Sequence, residues 1–126
     1  MISFDSFIID GILPIYLQII LFIKRGIIAG TVKNGEELPS RRVLSALLGV
    51  NPNTVQKAFA ILEEEGLILS RAGAKSVINI SGEKLLEIKE ELLINDIKNI
   101  VSALKQTGLS KEQASELIKA NWEEEN

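Results

Sequence analysis

The chain has neither cysteine nor histidine. Their absence excludes disulfides, thiolate nucleophiles, most zinc sites, and any triad or proton relay built on imidazole. A chain without cysteine also fits a cytoplasmic location. An excess of positive charge is lacking too: the net charge is −3 and the isoelectric point about 5.1. That balance does not advertise a nucleic-acid binder, but its distribution is uneven. Residues 1–81 hold eight Lys or Arg against seven Asp or Glu, whereas residues 82–126 hold six against ten. Arg25, Arg41, Arg42 and Arg71, all the arginines there are, lie in the first part. Acid gathered in the tail leaves a basic face elsewhere unmasked. Long hydrophobic runs are missing as well. The apolar stretch from Ile12 to Ile23 spans twelve residues, contains Gln18, and is followed at once by Lys24-Arg25. A membrane-spanning helix needs about twenty apolar residues, so no membrane insertion is expected. The start, MISFDSFIIDG, has no basic flank and two aspartates, unlike a secretory signal.

What is present is a globular composition, 46% hydrophobic and 25% charged, in a length that suits one domain or a small domain with an appendage. The centre of the chain is Leu38 to Glu65, LPSRRVLSALLGVNPNTVQKAFAILEEE. Its pattern predicts two short helices joined by a tight turn at Gly49. Ser40 is placed to cap the first with its hydroxyl and Asn51 the second with its amide oxygen. Pro52 then occupies the first helical position, where a missing N–H costs nothing. Val43, Leu44, Leu47 and Leu48 are expected to form one apolar face, and Val55, Phe59 and Leu62, with Ala58, the other. Two such helices, the second opening on small polar side chains, describe a DNA-reading helix-turn-helix. An ordinary helical hairpin in a core answers to the same description.

The flanks narrow the choice. Residues 1–12 read as an extended arm anchored by Phe4, Phe7, Ile8 and Ile9. Pro14 opens a helix to about Ala29, with Gly26 a weak point inside it and Gly30 its stop. Tyr16, Ile19, Ile20, Ile23 and Ile27 share its buried face, while Gln18 and Arg25 hold the polar sector. A second apolar group, Leu17, Leu21 and Ile28, wants a further partner: the arm, a second subunit or the C-terminal helices. Thr31 to Glu37 is a turn-rich link. After Gly66, Leu67–Leu69 and Ser76–Ile80 read as two strands around Ala72-Gly73, a hairpin wing whose rim carries Arg71 and Lys75. From Glu83 to Gln106 runs a long helix with Leu86, Leu93, Ile97, Ile100 and Leu104 in a stripe and Leu85, Ile88 and Leu92 beside it. Ser110 and Gln113 then form a capping box for a last helix bearing Ala114, Leu117, Ile118 and Trp122. A helix pair of this size cannot bury its stripes against itself, so they must pack on the winged part, on another copy, or on both. A symmetric dimer is the common solution. The fold class is therefore mainly α with a small β-wing: a winged helix-turn-helix with its N-terminal arm over residues 1–81, then a two-helix dimerisation segment over 82–126.

The order of parts resembles the GntR family of bacterial transcription regulators. PIYLQI at Pro14–Ile19 is similar to that family's opening helix. Leu38-Pro39-Ser40 with Arg42 and Leu44 resembles its LPS-x-R-x-L signature, and GVNPNTVQKAF at Gly49–Phe59 its recognition helix. Glu63 to Gly66, with Arg71 and Gly73 beyond, resembles its passage into the wing. The likeness covers roughly residues 10–80. The short two-helix tail resembles the YtrA-type subfamily, which implies a dimer, repression, and often control of a transporter operon. Three positions depart from the pattern. Arg41 stands where glutamate is common, Pro52 where an arginine used on DNA is common, and Lys75 where a second glycine is frequent.

In a helix-turn-helix the N-terminal residues of the second helix meet base edges in the major groove. Here these are Asn51, Asn53, Thr54, Gln56 and Lys57. Gln56 and Asn53 suit base edges, since Asn or Gln pairs bidentately with adenine. Thr54 falls between base and phosphate, Lys57 is expected on a phosphate, and Asn51 is more a cap than a reader. The resemblance implies that Arg42 reaches DNA, on guanine or the backbone. Ser40, Arg41, Arg71, Gly73 and Lys75 complete the DNA-facing set, with the basic members on phosphate or in the minor groove. Leu86, Leu93, Ile97, Ile100, Leu104, Leu117 and Trp122 form the expected dimer interface. The partners are then a double-stranded operator and a second copy of the chain. No cofactor or metal is called for, and enzymatic chemistry finds no constellation to carry it. A small-molecule effector is left open: the tail is too small to enclose a pocket of about 300 Å³ or more in one subunit. It would bind between subunits or near Leu17 and Leu21. The competing reading is a winged-helix module for protein contacts with a vestigial DNA face.

Overall fold

The computed structural model describes residues 1–70 and 75–125, so Arg71 and Gly73, assigned above to the wing, lie outside the described residues. Helix α1 (Ile15–Ala29) starts directly after Pro14, whose fixed φ suits a helix entrance. Helices α2 (Arg41–Leu48) and α3 (Pro52–Glu64) follow, each opened by a side-chain cap. The Ser40 hydroxyl accepts the Val43 N–H at 3.2 Å, and Asn51 Oδ1 accepts the Asn53 N–H at 2.8 Å. The sharp turn between them rests on Gly49, whose φ of 68° is open to glycine at no steric cost.

Strands β1 (Ile68–Leu69) and β2 (Val77–Ile78) pair antiparallel, with Ile68 opposite Ile78 and Leu69 opposite Val77. Both are shorter than the sequence pattern predicts, and β2 is bonded on its other edge by the link. Glu37 bridges Val77, the Leu38 N–H donates to the Ser76 carbonyl, and the Ile78 N–H donates to that of Glu36. The arm then adds an outer edge, its Ile2 N–H donating to the Glu37 carbonyl at 2.9 Å. A two-stranded hairpin is marginal alone; these flanking bonds hold this one in place.

Contacts divide the chain into two compact units, Met1–Ile88 and Lys89–Asn126, with the long helix α4 (Gly82–Lys105) running through the division. The first unit is built around Ile19, Ile23, Ile27, Leu38, Leu44, Val55, Phe59 and Leu62, all buried, with α1 and α3 in the most extensive contact. A Lys24–Glu65 ion pair of 2.9 Å joins α1 to the end of α3. Phe4 and Phe7 of the arm pack on Phe22 with ring centroids 5.0 and 5.2 Å away. Leu17 and Ile28 are half-buried against the same core. The arm is thus fixed on α1, and Gln18 does much of the fixing. Its Nε2 donates to the carbonyls of Asp10 and Leu13, and its Oε1 accepts the Asp10 N–H. This corrects the expectation of a polar, outward Gln18: the residue is 8% exposed, its amide matched to backbone groups of the arm.

Two further expectations are corrected. Val43 and Leu47 do not join the buried face of α2; they are 55% and 64% exposed, while Leu44 is fully buried and Leu48 half-buried. An eight-residue helix lying on one neighbour can bury only one narrow stripe, and Leu44 with Leu48 takes it. Gly26 is a requirement rather than a weakness. A Cβ there would lie 2.5 Å from Val32 Cγ2, where the chain turns back to bond the Gly26 carbonyl.

The second unit contains the rest of α4 and helix α5 (Lys111–Trp122), ended by a 3₁₀ turn at Glu123–Glu125. Ser110 and Gln113 form the full capping box at the start of α5. Among the described residues of this unit the only buried apolar side chain is Leu92, and α5 buries none. No helix among the described residues is long and apolar enough to cross a membrane.

Candidate nucleic-acid interface

Helix α3 has a buried side and a bare one. Val55, Ala58, Phe59 and Leu62 face the core. At about 100° per residue, Asn53, Gln56 and Ala60 share the opposite arc, and all three are exposed. Thr54, half-buried, sits on the flank of that arc. Further along, the outward side chains are Glu63 and Glu64. The outer face of α3 therefore changes from polar, with exposed Lys57 at its margin, to acidic between its first turns and its last, and only the beginning suits a phosphate-lined groove. Ala60 was not singled out from the sequence. Its methyl on this arc is the kind of group that meets a thymine methyl.

Charge at the helix starts points the same way. Neither α2 nor α3 has an acid in its first turn, and α2 opens on two arginines. Cations at the positive end of a helix are unfavourable by about 0.3–1 kcal/mol each, so Arg41 and Arg42 do not serve the helix. An anion at the start of α2 would relieve both. Arg42 is exposed and free to reach outward. Arg41 is placed differently: its guanidinium carbon lies 5.3 Å from the centroid of the Phe59 ring, and its Nε is buried without a hydrogen-bond partner. Arg41 thus ties the start of α2 to α3. Ser40 and Asn51 use their side-chain oxygens as caps, and Lys75 is exposed two residues before β2. Lys57, expected to project toward a phosphate, holds its Nζ 4.0 Å from the centroid of the Tyr16 ring on α1.

Of the seven residues expected at a dimer interface, Leu86, Leu93, Ile97, Ile100, Leu117 and Trp122 are all exposed, between 44% and 74%. Leu104 is half-buried. Ile94, Val101 and Ile118 are similarly bare and extend the apolar surface. The concave surfaces of the tail are open grooves, one along α4 from Ile97 to Gln106 and one at the turn before α5.

The sequence profile described as "Bacterial regulatory proteins, gntR family" matches residues 15–78, which take in α1, the helix-turn-helix and the wing strands. The chain belongs to the GntR family. Among curated GntR relatives, the HTH-type transcriptional repressor YtrA of Bacillus subtilis is 36% identical over 84% of this chain and 82% of its own length. That coverage includes the tail and places the chain in the YtrA-type subfamily of GntR regulators. A GntR family transcriptional regulator from Listeria monocytogenes superposes with a TM-score of 0.78 at 30% identity, over 89% of this chain and 98% of that one. The DNA-binding domain of AraR, solved in complex with its operator ORX1, matches at a TM-score of 0.51 and 26% identity, over 56% of this chain and 92% of the domain. Like its GntR relatives, this chain is a DNA-binding transcription regulator and not an enzyme.

Proposed function

We propose that the chain is a repressor that binds a pseudo-palindromic operator as a homodimer. In this reading residues 1–81 are the reader and residues 82–126 the dimerisation segment. The observation that supports the reader most is the bare, acid-free beginning of α3, together with the two arginines that open α2. Gln56 and Asn53 then meet base edges, Thr54 and Arg42 meet a base or a phosphate, and Arg71 and Lys75 bring the wing to the backbone. Arg41 contributes through its contact with Phe59 and by its charge rather than by extended reach.

The support for a dimer is physical. A twelve-residue helix with no buried side chain is marginal in water, and α5 is such a helix. Its Leu117 and Trp122, with Leu93, Ile97 and Ile100 of α4, would gain from a second copy. Two readers joined this way meet half-sites one helical turn or a multiple apart. The match to YtrA, a repressor, supports repression, and the subfamily resemblance extends the proposal to a transporter operon acted on in the cytoplasm.

Enrichment of bound fragments from random duplexes would give the operator. Against it, Arg42→Ala and Gln56→Ala should each weaken specific binding by about 1–3 kcal/mol at constant salt while the dimer persists. Unchanged affinity in both variants would refute the assignment of the reading face. A steep fall of affinity with salt separates operator binding from a protein-docking use of the same face.

A further inference from the structure

We infer that Tyr16 is a positioning residue for DNA binding, acting through Lys57. The inference rests on α3 being the reader and assigns a role to a side chain on another helix. Lys57 lies at the edge of the reading arc, and its ammonium is held over the Tyr16 ring at 4.0 Å. That distance is well inside the roughly 6 Å at which a cation is drawn to a ring face. The ring is itself fixed. Tyr16 is half-buried against the core cluster in the first turn of α1, and α1 is registered on α3 a second time by Lys24 and Glu65. Both pairs advance by eight residues, from Tyr16 to Lys24 and from Lys57 to Glu65, so the helices run side by side in one direction with two contacts eight residues apart.

The consequence for Lys57 is a side chain whose rotamers are chosen before DNA arrives. A lysine on an open surface loses most of its side-chain freedom when it meets a phosphate. Here part of that loss is incurred on folding. One face of the ammonium is directed to the ring, and its remaining N–H donors stay open, since Lys57 is an exposed residue. The ammonium is drawn toward α1 and away from the arc of Gln56 and Asn53. It is therefore set for a backbone phosphate at the margin of the groove rather than for a base edge.

The test uses the full chain and the operator enriched by it, with Tyr16→Phe, Tyr16→Leu, Lys57→Met and the double variant Tyr16→Leu/Lys57→Met. Tyr16→Phe keeps a ring face and should bind as the unchanged chain does. Tyr16→Leu should weaken binding about two- to five-fold, the value of an exposed cation–π contact, with the salt dependence retained. Lys57→Met should lower the slope of affinity against salt by about one contact. In the Lys57→Met background, Tyr16→Leu should have no further effect. Four results would overturn the inference: a Tyr16→Phe loss as large as that of Tyr16→Leu, additive losses in the double variant, tighter binding by Tyr16→Leu, or no change on Tyr16→Leu. In each of these the unchanged chain still binds its operator. If it enriches no duplex at all, the DNA-reading face fails first and Tyr16 has nothing to position.

Discussion

Replacing Ile97 by lysine should separate the protomers. Ile97 is 58% exposed in the single chain. Full burial of an isoleucine is worth about 1.5–3 kcal/mol, so covering a little over half of it contributes about 1–1.5 kcal/mol. A twofold interface contains the residue twice, which brings the loss to about 2–3 kcal/mol, or some 30- to 150-fold in the dimer dissociation constant. The lysine adds to this by placing two ammonium groups in an apolar contact. Leu93→Lys, at a position 44% exposed, should act in the same direction. Sedimentation velocity over a micromolar concentration series reads the result directly, and circular dichroism should show helix content falling as monomer accumulates, because α5 loses its support. Palindrome affinity should drop while the single half-site is still recognised. If both variants sediment as dimers across the whole series, the tail stripe is not the main interface and the reasoning from exposure is wrong.

Three other substitutions examine the first unit. Gly26→Ala should destabilise the chain by up to about 2 kcal/mol, because overpacking against Val32, about 1–3 kcal/mol, outweighs the roughly 1 kcal/mol of helix propensity that alanine contributes; a raised midpoint in thermal unfolding would show that Val32 gives way freely. On α2, Leu44→Ala should cost about 2–5 kcal/mol and Leu47→Ala within about 0.5 kcal/mol, since the first side chain is 0% and the second 64% exposed. Equal losses in urea denaturation would return Leu47 to the core.

The parts of the fold that rest on local chemistry were legible in the sequence. Ser40, Asn51 and Ser110 cap the helices they were expected to cap, because capping needs only a short side chain and the amide two or three residues on. The stripe of Ile19, Ile23 and Ile27 was visible because a helix has one period. Where a decision depended on which neighbour arrives, the sequence was silent. Val43 and Leu44 are equally apolar, and only the line of contact with α3 separates them. Gln18 looked like a surface residue until the arm presented two carbonyls and an amide at the right distances. Tyr16 was assigned to a buried face, which is half its role; its meeting with Lys57 spans 41 residues of chain and leaves no local signal. The link from Thr31 to Glu37 reads as a turn because the strand partner of its last residues, β2, comes some forty residues later.

That link ties two distant parts of the proposed reading surface together. The Leu38 N–H bonds the Ser76 carbonyl at 2.9 Å, one residue from Lys75 and two from the Ser40 cap that begins α2. The base of the wing and the start of α2 therefore cannot settle on a duplex independently. Lys75 adjoins Ser76, whose hydrogen bond to Leu38 connects it to Arg41 and Arg42, three and four residues further on. The cost of aligning these elements falls on folding, leaving less order to be imposed at the operator. Lys75 and Arg42 should accordingly behave as a single contact: a duplex with the wrong groove width would forfeit both at once, and discrimination by backbone shape would be sharper than the small number of basic residues suggests.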